Sequence, residues 1–298
     1  MSWLQIDEPR DSDVHTITDF MEILCITSID KEVSLEDLED HLQDNSNSYL
    51  NNEDSKFDVD EQIEWRSEAF IGTYPFTKDD HTIKLFPNLS AQNKVYIFLL
   101  LSANLPFIEN KHVFTQCFEE LSLLSLIEMT GSKAKSKIFA RGNQHFTGSK
   151  SERLNKLFNM TGNTGICTDS YFRSRDSGDG GIDLVSYYEA DAYENSNIMS
   201  ILAQCACSRS GWSKKQNDAS YDRLCGIVTV NNRWNNMLFT PICFRDNHGK
   251  WPFKADVQNN ILFDRLRIVN FLEDDYIENF SFPDNFDSMV AYSRTITE

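Results

Sequence analysis

In Gly178-Asp179-Gly180-Gly181-Ile182-Asp183-Leu184-Val185, three glycines and an aspartate lead directly into an apolar run. Glycine tolerates positive φ, and the residues from Ile182 to Tyr187 are mostly apolar, β-branched or aromatic, so the stretch predicts a tight turn feeding a strand. Asp183 falls inside that strand. A carboxylate is costly to bury unless a cation or hydrogen bonds compensate it, which marks Asp183 as a residue with a task. About twenty residues on, Ile198 to Cys207 has strand length and carries one strong polar group, Gln204. Trp212-Ser213-Lys214-Lys215 follows, at the expected start of a helix.

A Gly-Asp-Gly-Gly-Ile-Asp turn-strand, a Gln204-Cys205 strand and a lysine beyond it resemble, in that order, the PD-(D/E)XK nucleases. The spelling is most similar to Mrr-like restriction endonucleases and their relatives in phage defence, over roughly Phe114 to Val230. This resemblance implies an α/β fold with a restriction-endonuclease-like mixed β-sheet flanked by helices. It also implies a magnesium- or manganese-dependent DNA endonuclease, the effector of a bacterial anti-phage system. Asp183 would be the main metal ligand, Gln204 would offer an amide oxygen where most relatives have an acid, and the Cys205 backbone carbonyl would add another. Phe118-Glu119 resembles the Phe-Glu with which such nucleases add an acid from the preceding helix, Glu120 being the fallback. The pattern's lysine stands two residues after the acid, where this chain has Ala206. A Gln-Cys-Ala strand followed by Trp-x-x-Lys resembles a subset of defence relatives and favours Lys215 over Lys214 for the role. Loss of the usual lysine leaves a second implication, a catalytically inactive nuclease-like interaction subunit.

The chemistry fits these residue types. Attack of water on a phosphate diester needs a cation to neutralise developing charge and to lower the water pKa. Magnesium takes oxygen ligands and keeps several waters, so two or three protein oxygens suffice.

Charge divides the chain. Through Asp80 there are 22 acids against five Lys and Arg, which accounts for nearly all of the net −18. This gives two expected regions: 1–90, acidic and mostly helical, for docking a partner or regulation, and 91–298, the nuclease-like domain. A chain this acidic is a poor DNA ligand by net charge, yet phosphate contact depends on local potential over about 10 Å. The basic stretch Lys133, Lys135, Lys137, Arg141, Gln144 and His145 reads as a Gly- and Ser-punctuated loop, either along phosphates or simply solvated.

Thr16 to Ile29 and Ser34 to Leu42 have helical spacing, while Gln43 to Glu61, rich in Asn, Ser, Asp and Glu, reads as an exposed linker. Glu64 to Leu85 reads as strands and turns. Ala91–Ser102 and His112–Met129 predict a helical hairpin, and Ser151–Phe158 a short helix. Strands are expected over Ile166–Phe172, Leu224–Val230 and Met237–Phe244. Arg265 and Arg267 are expected either to touch phosphate or a partner, or to close the C-terminal part through an ion pair. Asp179 reads as a turn cap, and Asp191 as a solvated turn residue.

Seven scattered cysteines fit reduced thiols, and Cys-x-Cys within one strand lacks the turn knuckle of a zinc site. The start of the chain has no secretory pattern and no apolar run reaches the roughly twenty residues a spanning helix needs, so the expected location is the cytoplasm. Expected partners are DNA and a protein subunit of a defence complex, with a homodimer plausible on symmetry grounds.

Overall fold

Residues 9, 13–44, 49–139, 145–172, 180–209, 211–252, 254–258 and 260–292 are described by the computed structural model. The chain forms two units, one from Met1–Thr115, Ile242–Lys254 and Asp274–Glu298, the other from Gln116–Pro241 and Ala255–Glu273. Charge alone suggested a division at residue 90. The first unit takes in the described residues up to 90 together with later segments of the chain.

In the first unit, α1 (Val14–Thr27) is capped by Asp13, whose carboxylate accepts from the amides of His15 and Thr16. β1 (Glu32–Ser34) and α2 (Leu35–Asp44) follow, and Ser34 and Asp37 close a reciprocal cap at the start of α2. The expected linker is instead helical over much of its length. α3 (Glu53–Ala69) starts at the Asn52 cap, carries Glu53 and Asp54 in its first turn, and buries Val59, Gln62, Ile63 and Arg66. Few apolar side chains are needed there because a guanidinium anchors the inner face. β2 (Phe76–Asp79) and β3 (Thr82–Leu85) form a hairpin turning at Asp80, and β3 also pairs with β1. α4 (Ala91–Ala103) begins with a Ser90–Asn93 capping box.

Arg66 is 0% exposed and holds two fully buried carboxylates, Asp19 at 2.7 Å and Glu22 at 3.0 Å. Glu22 also accepts from the hydroxyls of Tyr74 and Tyr96, both at 3.0 Å, and Asp19 from the Asn104 amide at 3.1 Å. Burial, the Glu22 carboxylate and the Tyr96 hydroxyl push the Tyr74 hydroxyl well above its usual range, so it stays a donor.

The long helix α5 (Lys111–Thr130) passes from one unit to the other, the division falling after Thr115. The second unit then contains β4 (Ala134–Ile138), α6 (Lys150–Met160), β5 (Thr164–Gly165), β6 (Leu184–Tyr188) and β7 (Ser200–Cys205). These are followed by α7 (Trp212–Lys215), α8 (Tyr221–Leu224), β8 (Val228–Thr229), β9 (Asn235–Phe239), β10 (Ile261–Phe263) and α9 (Arg265–Asn270). The chain ends, back in the first unit, with α10 (Asp274–Asn279) and α11 (Phe286–Ala291), where Phe280, Phe282 and Phe286 surround Phe98.

Five strands make a mixed sheet in the order β10-β9-β7-β6-β4, with β7, β9 and β10 parallel and the β6 pairings antiparallel. Val185, Tyr187 and Leu202 pack with Leu154, Leu157 and Phe158 of α6 on one face. On the other, Thr130 of α5 meets Ser136 and Ser186, and Ser125 donates to the Ile268 carbonyl.

Several expected elements change here. The basic loop contains β4, because Lys135 and Lys137 alternate with Ser136 in register with Tyr187, Ser186 and Val185. Arg141 and Gln144 lie outside the described residues, as does Asp179. Ile166–Phe172 is no strand, having only a helical turn at Asp169–Tyr171, and Leu224–Val230 is mostly helical, with just Val228 and Thr229 in a strand. Arg265 is 0% exposed, its Nε donating to the Pro241 carbonyl at 2.8 Å, so it touches no phosphate. Arg267 bonds the Leu262 carbonyl. Among the described residues no helix is long and apolar enough to cross a membrane.

Candidate active site

Gly180 and Gly181 have φ of +63° and +81°, so the turn uses the freedom only glycine gives cheaply. The β6–β7 ladder stops at Leu184 opposite Ala203, and Asp183 lies one residue ahead of it. Its amide donates to the Ala203 carbonyl at 2.9 Å, and its Oδ2 accepts the Cys205 amide at 2.7 Å. At 6% exposure the carboxylate is thus held against the main chain of the neighbouring strand.

Gln204 reaches the same residue from its own strand, its Nε2 donating to the Cys205 carbonyl at 3.1 Å. Among the described residues its buried Oε1 meets no hydrogen-bond donor, an uncommon condition for an amide oxygen. Strand alternation puts Gln204 on the side of Leu202, in the core under α6, whereas Asp183 precedes the ladder and its neighbour Ile182 already belongs to that core.

Cys205 points the other way. Its thiol is pushed well up by burial, then by the charges of Asp183 and Glu119. The Cys207 thiol is likewise raised, by burial first; the Lys215 ammonium pulls it down, while Glu119 and Asp183 push it up. Glu119, Asp183 and Lys215 are thus within electrostatic reach of the Cys207 thiol. Glu119 and Lys215 are half-buried, whereas Glu120 and Lys214 are exposed. Ala206, where the lysine of the pattern would stand, is 0% exposed and its amide is taken by the Phe239 carbonyl.

The groups that meet at Cys205 are oxygens: the Asp183 carboxylate, the Gln204 Oε1 and the Cys205 carbonyl with a second lone pair, while Glu119 is related to them only through its charge on the two thiols. Such oxygens fit a hard divalent cation. Among the described residues no three His, Cys, Asp or Glu side chains group as ligands, and the two thiols are held neutral, which disfavours a soft metal. Sequence reasoning missed Arg223 of α8, whose guanidinium donates to the Gly180 and Asp218 carbonyls. It stands 43 positions from the glycine it holds, and no local signal could have pointed to it.

The fold is thus a mixed α/β one whose five-strand sheet is flanked by helices. No protein-family profile and no curated protein matches the chain. A solved structure of the MspJI restriction endonuclease in complex with a 27-mer oligonucleotide is similar to it at 12% identity and a TM-score of 0.34. That likeness covers 68% of this chain and 36% of the endonuclease, and is too slight to assign a role to any residue.

Proposed function

We propose that the chain is a metal-dependent DNA endonuclease that hydrolyses phosphodiester bonds, the effector of a bacterial anti-phage complex in the cytoplasm. The reading is supported above all by the meeting of Asp183 and Gln204 at the main chain of Cys205, with a buried amide oxygen that meets no donor among the described residues. Magnesium or manganese, when bound, supplies positive charge for the phosphate and lowers the pKa of a water. Asp183, Gln204, the Cys205 carbonyl and Glu119 are the groups that would hold it. Lys215 would stand in for the lysine absent at Ala206, its long stem bringing a compact charge to the developing negative oxygen. The acidic first region would dock a regulatory protein subunit, and a second copy of the chain would supply the second cut of a duplex.

Purified protein is expected to nick supercoiled plasmid in magnesium or manganese and to stop when the ion is chelated, followed on agarose gels. Nicking that continues unchanged in excess chelator would refute the metal site. Lys215→Ala is expected to slow nicking about 100-fold, the usual scale for one group acting on transition-state charge, with Lys214→Ala near the wild-type rate. Equal losses in the two variants would remove Lys215 from the role.

One observation favours a catalytically silent interaction subunit: the buried methyl of Ala206 occupies the lysine position. A chain that neither nicks DNA nor binds manganese would establish that reading instead.

A further inference from the structure

Arg223 and Asp218 enclose the glycine turn from which Asp183 emerges. The Arg223 Nη1 donates to the Gly180 carbonyl at 2.5 Å and to the Asp218 carbonyl, and lies 3.9 Å from the Asp218 carboxylate. A Cβ at Gly181 would lie 2.7 Å from Arg223 Nη1 and 2.9 Å from Asp218 Cβ, so the guanidinium and the aspartate fill the space a side chain would need. The turn is therefore gripped through its carbonyl and through the bare face of its second glycine.

The gripping segment is itself fixed. Gln216, 1% exposed, donates to the carbonyls of Ser213 and Asp256, and its own Oε1 accepts from the amide of Gln258 and the side chain of Asn260. Asn236 of β9 donates to the Gln216 carbonyl, and the Trp234 indole donates to the Ala219 carbonyl at 2.7 Å. Lys215 immediately precedes Gln216, so residues 212–224 form a rigid bracket with Lys215 near one end and the Arg223 clamp at the other.

We propose that Arg223 is a positioning residue which, through its grip on Gly180 and Gly181, sets the Asp183 carboxylate at the Cys205 amide and ties it to the element bearing Lys215. The proposal rests on the nuclease reading for its catalytic consequence, though not for the clamp itself. Arg223 touches no reacting atom. Its contribution comes from removing freedom at two glycines that have no side chains of their own to restrain them. One terminal nitrogen, Nη1, serves both carbonyls with its two hydrogens.

The test uses the full chain and three proteins: wild type, Arg223→Ala and Arg223→Lys. Amide hydrogen exchange, read by mass spectrometry, is expected to quicken at least about tenfold in the peptide spanning 180–186 of Arg223→Ala and at the Cys205 amide, and to stay unchanged over 235–239. Single-turnover nicking at saturating plasmid is expected to fall about 10- to 100-fold in the same variant, the scale of a misplacement of about 1 Å, with the half-saturating DNA concentration unchanged. Arg223→Lys should recover part of both. Unchanged exchange over 180–186 overturns the proposal. So does faster exchange with a wild-type nicking rate, and so does a rate loss that appears only as weaker DNA binding. If the wild type never nicks plasmid, the nuclease reading fails by itself, and the exchange result alone then decides the clamp.

Discussion

Asp183→Ala is expected to lower metal-dependent nicking of plasmid at least about 1,000-fold, because the carboxylate is the one buried full charge that a cation would meet beside Gln204. The alanine variant carries a second defect. It strips the Cys205 amide of its acceptor, and a buried donor without a partner costs about 1–3 kcal/mol. Asp183→Asn separates the two effects. Asparagine keeps an oxygen for the Cys205 amide and nearly the same volume while giving up the charge, so its melting temperature should stay close to wild type while its nicking falls nearly as far. An asparagine variant that cuts at the wild-type rate would rule out Asp183 as the principal ligand.

Arg66→Met is expected to destabilise the first unit by about 3–5 kcal/mol, measured as a lower midpoint in guanidinium unfolding. Methionine matches the stem of arginine but leaves Asp19 and Glu22 inside the protein with their partner gone. Tyr74, Tyr96 and Asn104 still donate to the two carboxylates, yet neutral donors do not offset two buried negative charges. Removing the charges as well, in Arg66→Met with Asp19→Asn and Glu22→Gln, should restore much of the loss. A single-variant cost below about 1 kcal/mol would mean that water reaches the cluster.

How much was legible in the sequence depended on whether the cause was local. Gly180, Gly181, Asp183 and Gln204 stood out because a positive-φ turn and a polar group in an apolar strand leave marks within a few residues. Asp183 came out one residue before its strand rather than inside it, since hydrogen bonds of its side chain replace the regular ladder there. α3 was obscured because its inner face is built from Gln62 and Arg66 as much as from Val59 and Ile63, and a polar helix held by long-range ion pairs resembles a linker. β4 was hidden by lysines that read as loop but lie on an edge strand, where charge is tolerated. The partners of Arg66 are 47 and 44 positions away in sequence, and no periodicity can announce them.

The order in which the sheet's strands leave the ribosome has a consequence of its own. β9 lies between β7 and β10, and before β10 is made the chain detours through Ile242–Lys254, residues of the other unit. Until β10 is paired, β9 therefore has one flank open to any passing extended segment. That flank closes only when Ile261–Phe263 pairs with it, so chaperone engagement, or misassembly between neighbouring chains, should concentrate before that pairing forms.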